Sequence, residues 1–92
     1  MAKIFVVKDK YEATLKAFKV SEKYDADLLV FVASEKYDAD KDEHWFYVNE
    51  KYDATTKLYW VTEKYDADVM VCFVNEKYDA KWNKGHAFQN RL

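Results

Sequence analysis

An all-β domain is what this sequence predicts: a toroidal, propeller-like ring of about seven short strands, wound about twice by the chain. Three observations carry the prediction. A turn hexamer recurs at a nearly constant interval. The segments between its copies have the length and chemistry of strands. And the 92 residues include one glycine and no proline, so the connections cannot be the tight, glycine-dependent hairpins of most β proteins.

The hexamer Ser-Glu-Lys-Tyr-Asp-Ala begins at Ser21 and Ser34 and returns with a changed first residue at Asn49, Thr62 and Asn75. A worn copy, Lys8-Asp9-Lys10-Tyr11-Glu12-Ala13, precedes them. Its tyrosines, Tyr11, Tyr24, Tyr37, Tyr52, Tyr65 and Tyr78, are spaced by 13, 13, 15, 13 and 13 residues. Its alanines are Ala13, Ala26, Ala39, Ala54, Ala67 and Ala80. A longer period lies above the first: Tyr11 to Tyr52, Tyr24 to Tyr65 and Tyr37 to Tyr78 are each 41 residues, and residues 11–40 laid on 52–81 match at 17 of 30 positions. Unit i therefore resembles unit i+3, and the chain reads as three units written twice. Copies this uniform point to recent duplication or to consensus engineering.

Seven segments lie between the hexamers, at residues 3–7, 15–20, 28–33, 43–48, 57–61, 69–74 and 86–92. They are rich in Val, Phe, Tyr, Trp and Leu and predict strands. Residues 28–32 and 69–74 are apolar throughout, as strands covered on both faces are. Residues 15–20 mix polarity and predict a half-exposed strand, and 86–92 is the weakest of the set. The hexamer itself predicts one helical turn, with Ser, Thr or Asn as N-cap and Glu in the first turn, where the helix dipole favours it. Right-handed helical backbone needs no glycine. Such a turn does not fold a strand back on its predecessor, so consecutive strands are expected not to be partners. Strands of a second lap then fill the gaps left by the first.

At this length the chain is one domain, residues 1–92, burying about 60–65% of its unfolded surface. Half its residues are apolar, 18% are aromatic, and the net charge is −2. That composition excludes a disordered chain and offers no basic field for nucleic acid or an anionic membrane. The lone cysteine, Cys72, cannot close an internal disulfide, which fits a reducing, cytoplasmic setting. The apolar run at residues 4–7 is too short for a signal peptide or a membrane span.

A turn of the form acidic-Lys-Tyr-acidic-Ala-Asp followed by an aliphatic-aromatic strand resembles the bacterial septoil knot domain family. The close, Lys81-Trp82-Asn83-Lys84-Gly85-His86 and Gln89-Asn90-Arg91-Leu92, is similar to that family's C-terminal end. The resemblance covers essentially the whole chain. It implies a toroidal, propeller-like β fold whose backbone forms a seven-crossing knot, and a family without an assigned biochemical function, so it transfers no catalytic residue. True knots are rare, but two interleaved laps are the winding such a knot needs, and the repeated alanines are small where chains cross closely.

The candidate sites each carry a plain alternative. The six tyrosines are expected to pack on the neighbouring unit with hydroxyls at the rim, rather than to ring a channel. The pairs Asp25/Asp27, Asp38/Asp40 and Asp66/Asp68 have the oxygen ligands calcium wants but lack the glycines of repeat calcium loops, and read as solvated turn carboxylates. His44 and His86 lack a third ligand and read as rim residues. Cys72 reads as a buried, inert thiol. Trp45, Trp60 and Trp82 read as core or rim packing, since single-strand binders set aromatics in a basic groove. No catalytic motif, cofactor loop or metal set stands out. The sequence thus predicts a monomeric, non-enzymatic structural domain with no cofactor. The alternative is a module that holds an anion, peptide or RNA segment in the ring's mouth or at the basic end formed by Lys81, Trp82, Lys84, His86 and Arg91.

Overall fold

The computed structural model describes residues 2–83, 85, 86, 89 and 92. Strands form at β1 (Ala2–Val6), β2 (Leu15–Lys19), β3 (Leu28–Val32), β4 (His44–Tyr47), β5 (Thr56–Trp60), β6 (Val69–Val74) and β7 (Lys81–Trp82). Between them lie six short 3-10 turns, η1 (Lys10–Glu12), η2 (Lys23–Asp25), η3 (Lys36–Asp38), η4 (Lys51–Asp53), η5 (Lys64–Asp66) and η6 (Lys77–Asp79). The first six strands are mutually parallel and close into a barrel in the order β4-β1-β5-β2-β6-β3, with β3 pairing β4 to shut the ring. The seventh strand is peripheral and antiparallel on β3. It forms at Lys81–Trp82 rather than in the expected 86–92 segment, where His86 has no regular structure and Gln89 is in a turn.

The pairing follows the repeat. Units three apart, β1 and β4, β2 and β5, β3 and β6, are neighbours in the barrel. Each step along the chain skips one position, so the elbow must clear the strand between. Two strand spacings of about 4.8 Å sideways and one strand length of about 16 Å back to the start call for under 20 Å. The eight residues between Lys19 and Leu28 reach up to about 28 Å when extended, and one 3-10 turn takes up the slack. The elbows lie outside the strands they cross: η2 packs on β6, η4 on β1 and η6 on β3. Val20 and Ala26 of one elbow are buried with Leu29, Cys72 and Val74 in a second apolar cluster on this outer face.

The step from β3 to β4 is the exception, advancing one position instead of two. Six is even, so three steps of two would bring the fourth strand onto the place of β1. A single step shifts the second lap into the empty positions, and it coincides with the longer connection that carries the 15-residue spacing.

Within each strand, alternation sends every second side chain inward. Ala2, Ile4, Leu15, Ala17, Leu28, Val30, Trp45, Leu58, Val69 and Val71 form the central core. Trp45 is its largest fully buried side chain. Four strand starts are closed by the residue after a repeated alanine. The Thr14 and Thr55 hydroxyls and the Asp27 and Asp68 carboxylates accept from the N–H groups of Lys57, Lys3, Met70 and Lys16 at 2.9–3.1 Å. The second aspartates of these Asp-x-Asp pairs are therefore backbone caps, not the solvated turn carboxylates expected of them.

Two local expectations are corrected. The Ser, Thr or Asn residue does not cap the turn; the Glu that follows it, or Asp9 in the first copy, occupies the N-cap with extended backbone and no side-chain bond. Extended backbone runs one residue further than expected, so the turn holds only Lys-Tyr-acid. The six tyrosines do not pack on neighbouring units: Tyr11, Tyr24, Tyr37, Tyr52, Tyr65 and Tyr78 are 77–87% exposed. In a three-residue 3-10 turn the middle side chain points away from the barrel, while its flanking Lys and acid reach sideways. Replacing any one of these tyrosines by Ser is expected to change stability by no more than about 0.5 kcal/mol, as for surface sites generally. Urea unfolding of Tyr52→Ser checks it, and a loss above about 1.5 kcal/mol would restore the packing role.

Those lysines and acids tie the turns into a girdle in the order of the strands. Lys36 meets Asp53 at 2.9 Å, Lys10 meets Asp66 at 3.1 Å, Lys77 meets Asp38 at 3.3 Å and Lys23 meets Asp79 at 3.6 Å, and Lys51 pairs with Glu12. Hydrogen bonding to Lys51 holds the Glu12 carboxyl below its ordinary value, and Lys36 does the same for Asp53. A lowered folded-state value means stability that is present above the unfolded values of about 4.5 and 3.8 and is lost as pH falls through the folded ones. Single exposed pairs contribute little, so the expected signature is collective. The melting temperature falls below about pH 4.5 and falls less in high salt, where the girdle is already screened. A melting temperature that rises on acidification at low salt would contradict the girdle.

Candidate functional site: the carboxyl-end mouth of the barrel

The two ends of the barrel differ. At the strand starts the interior is sealed. Leu92 is buried within the central core, and half-buried Trp82 packs against it. Both are held by Asp42, a 7% exposed residue of the β3–β4 connection. Its carboxylate accepts the Trp82 indole N–H at 3.2 Å and the Leu92 backbone N–H at 3.1 Å. Its carbonyl accepts the Trp45 indole N–H at 2.7 Å. Nothing in the sequence singled Asp42 out; the two residues inserted into the 15-residue spacing were the one signal. Asp42→Ala strands two buried donors at about 1–3 kcal/mol each, so a loss of about 2–4 kcal/mol is expected in urea unfolding, and a loss below about 1 kcal/mol would deny Asp42 this role.

At the strand ends the interior is open. The third inward position of each strand is Val6, Lys19, Val32, Tyr47, Trp60 or Phe73. Among the described residues, and apart from the turn tyrosines, the exposed large apolar residues are Val6, Val32 and Tyr47, all at this mouth. Phe18, Lys19, Tyr47, Trp60, Val61 and Phe73 line a depression of about 490 Å³. Its floor is an aromatic cluster around Trp45. Phe73 stands edge-on to Trp45 at 5.9 Å and Tyr47 at 6.4 Å, while Trp60 lies 6.4 Å from Trp45 and 5.9 Å from Phe73. The Lys19 ammonium sits 5.5 Å from the centre of the Phe73 ring, within the range of a cation–π contact. Desolvation raises the Tyr47 phenol above its ordinary value, so it is neutral at physiological pH.

Immediately beyond the mouth each chain segment places an acid at the turn's N-cap: Asp9, Glu22, Glu35, Glu50, Glu63 and Glu76. All six are exposed, and none forms an ion pair among the described residues. Glu50 borders a depression shared with Tyr47, and Asp9 one shared with Val6.

The sequence-predicted basic end is only partly brought together. Lys81 is exposed. Trp82 stacks on His86 with centroids 5.4 Å apart and planes at 23°, and His86 Nε2 lies 3.9 Å from Asp27. Both rings are thereby turned on each other. Lys84 and Arg91 lie outside the described residues. His44, expected at a rim, is instead buried, set edge-on to Phe31 at 6.3 Å with Asp40 3.4 Å from its Nδ1. That hydrogen bond lowers the Asp40 carboxyl. Cys72 is a buried free thiol, and Trp45 is core while Trp60 and Trp82 pack against it. Among the described residues no group of three His, Cys, Asp or Glu side chains is placed to hold a metal ion.

No curated protein and no solved structure matches the chain. A family model, the 7(1) septoil knot domain, matches residues 1–83. With the match spanning the whole barrel and β7, the chain belongs to the septoil knot domain family.

Proposed function

We propose that this chain is a non-enzymatic structural domain whose mechanical and kinetic resistance to unfolding is its contribution, acting as a monomer in a reducing, cytoplasmic setting. The observation that carries the reading is the interleaving. The elbows through η2 and η4 pack over β6 and β1, strands of the other lap, so the two laps hold one another in place. Other features support it. Five turn lysines are engaged with turn acids in the girdle, and His44 faces Asp40 and Phe31 with no nucleophile among its hydrogen-bond partners. A closed barrel leaves no ring strand with an unpaired edge, which favours a monomer. The buried free thiol of Cys72 suits a reducing compartment.

A processive unfolding protease, recruited through a degradation tag on either terminus, tests the reading. The tagged domain is expected to stall the enzyme and to persist as a discrete fragment. Degradation at the rate of an unknotted β domain of the same size would overturn it.

A further inference from the structure

We propose that the carboxyl-end mouth binds a quaternary or alkylated ammonium group on the faces of Tyr47, Trp60 and Phe73, and that Lys19 is the resident cation such a ligand displaces. Three independent features converge on that chemistry. The barrel leaves its apolar third layer open at one end only, with Val6, Val32 and Tyr47 exposed there, whereas Leu92 and Trp82 seal the other. The floor is aromatic, and the position over Phe73 is already taken by an ammonium from the chain itself, so its electrostatics suit a cation. The six N-cap carboxylates surround this end without ion pairs among the described residues, whereas the turn lysines that border it, Lys36 and Lys51, are held by Asp53 and Glu12 in the girdle. That charge distribution favours a cationic partner over the anion or RNA segment expected from sequence. An alkylated ammonium matches both features, its methyl groups lying against the rings and Val61 that line the depression and its charge inside the collar. Lys19 is exposed at the end of β2 on a flexible stem, so it can swing into solvent when an external cation takes its place.

The test is a titration of the intact protein with choline at constant ionic strength, followed by the indole N–H resonances of Trp60 and Trp82, which report opposite ends. The neutral isostere 3,3-dimethyl-1-butanol serves as control. Choline is expected to shift Trp60 saturably in the millimolar range without moving Trp82. The isostere is expected to bind about 5–30-fold more weakly, the factor a cation–π contact of about 1–2 kcal/mol gives. Lys19→Ala removes the competitor and is expected to tighten choline several-fold, while Tyr47→Leu, at a half-exposed site that leaves the core intact, is expected to weaken it by a similar factor. Three results would each overturn the proposal: equal binding of the isostere, no saturable shift of Trp60 in either wild type or Lys19→Ala, or unchanged choline affinity in Lys19→Ala.

Discussion

Trp45→Ala is expected to cost about 3–5 kcal/mol, the range for removing a buried aromatic side chain. A domain of this size is stabilised by roughly 5–14 kcal/mol, so the variant loses about a fifth or more of its stability and its melting temperature falls by about 15–30 °C. The size follows from position. Trp45 is fully buried, sits at the centre of the barrel, and contacts the Tyr47, Trp60 and Phe73 rings. Its indole N–H also satisfies the Asp42 carbonyl at 2.7 Å, linking the floor of the mouth to the sealed end. Truncation therefore opens a cavity and strands a buried acceptor together. Trp45→Phe retains most of the volume and is expected to cost about half as much. Equilibrium urea unfolding with long incubation measures both, and a loss below about 1 kcal/mol for Trp45→Ala would show that the barrel interior is not the principal core.

The architecture was legible where it depends on local backbone chemistry. A glycine-free elbow does not fold a strand back on its predecessor, so β1 and β2 were expected apart, and the 41-residue likeness between Tyr11 and Tyr52 pointed to strands of a second lap filling the gaps. The parallel pairing of β1 with β4 and of β2 with β5 realises that reading. What local chemistry does not contain is closure. That six strands rather than seven shut the ring depends on the single-position step at β3–β4, a property of counting around a circle. The 15-residue spacing between Tyr37 and Tyr52 recorded it without revealing its meaning.

The candidate site was less legible for the same reason. Val6, Lys19, Val32, Tyr47, Trp60 and Phe73 share no motif and are scattered along the chain. Only period-two alternation combined with the barrel's register assembles them at one mouth. The repeated tyrosines, conspicuous in sequence, invited a packing role they do not have, because a three-residue turn has no neighbour for its middle side chain to rest on. Asp27 and Asp68 looked like turn carboxylates until the adjacent lap supplied the backbone N–H groups they cap. Residues whose partners lie 43 or 52 positions away cannot be assigned from their own segment.

Unfolding of the intact chain is expected to be slower than about 10⁻⁶ s⁻¹ in water, below the slow end for small two-state domains. A single backbone cut between Asp40 and Lys41 is expected to raise that rate by at least about a hundredfold. Losing the barrel requires a terminus to be drawn back under the elbows that cover it, and those elbows belong to the other lap. On the proposed reading the barrier is set by threading as well as by lost contacts, and is expected to raise kinetic stability without a matching rise in equilibrium stability. The β3–β4 connection is the one place where the chain passes from first lap to second. A cut there, introduced through an engineered protease site, leaves each lap's pairing and the core residues in place while giving the interleaved halves new ends that can slide free. Folding is expected to be slow as well, because the ladders join residues as far apart as Lys3 and Thr55 and loop closure precedes the gain from pairing. Chevron measurements on intact and cleaved protein separate topology from contact energy. Equal unfolding rates in the two would mean that the interleaving places no kinetic lock on the fold, while fast unfolding of both would leave the barrel held by side-chain packing alone.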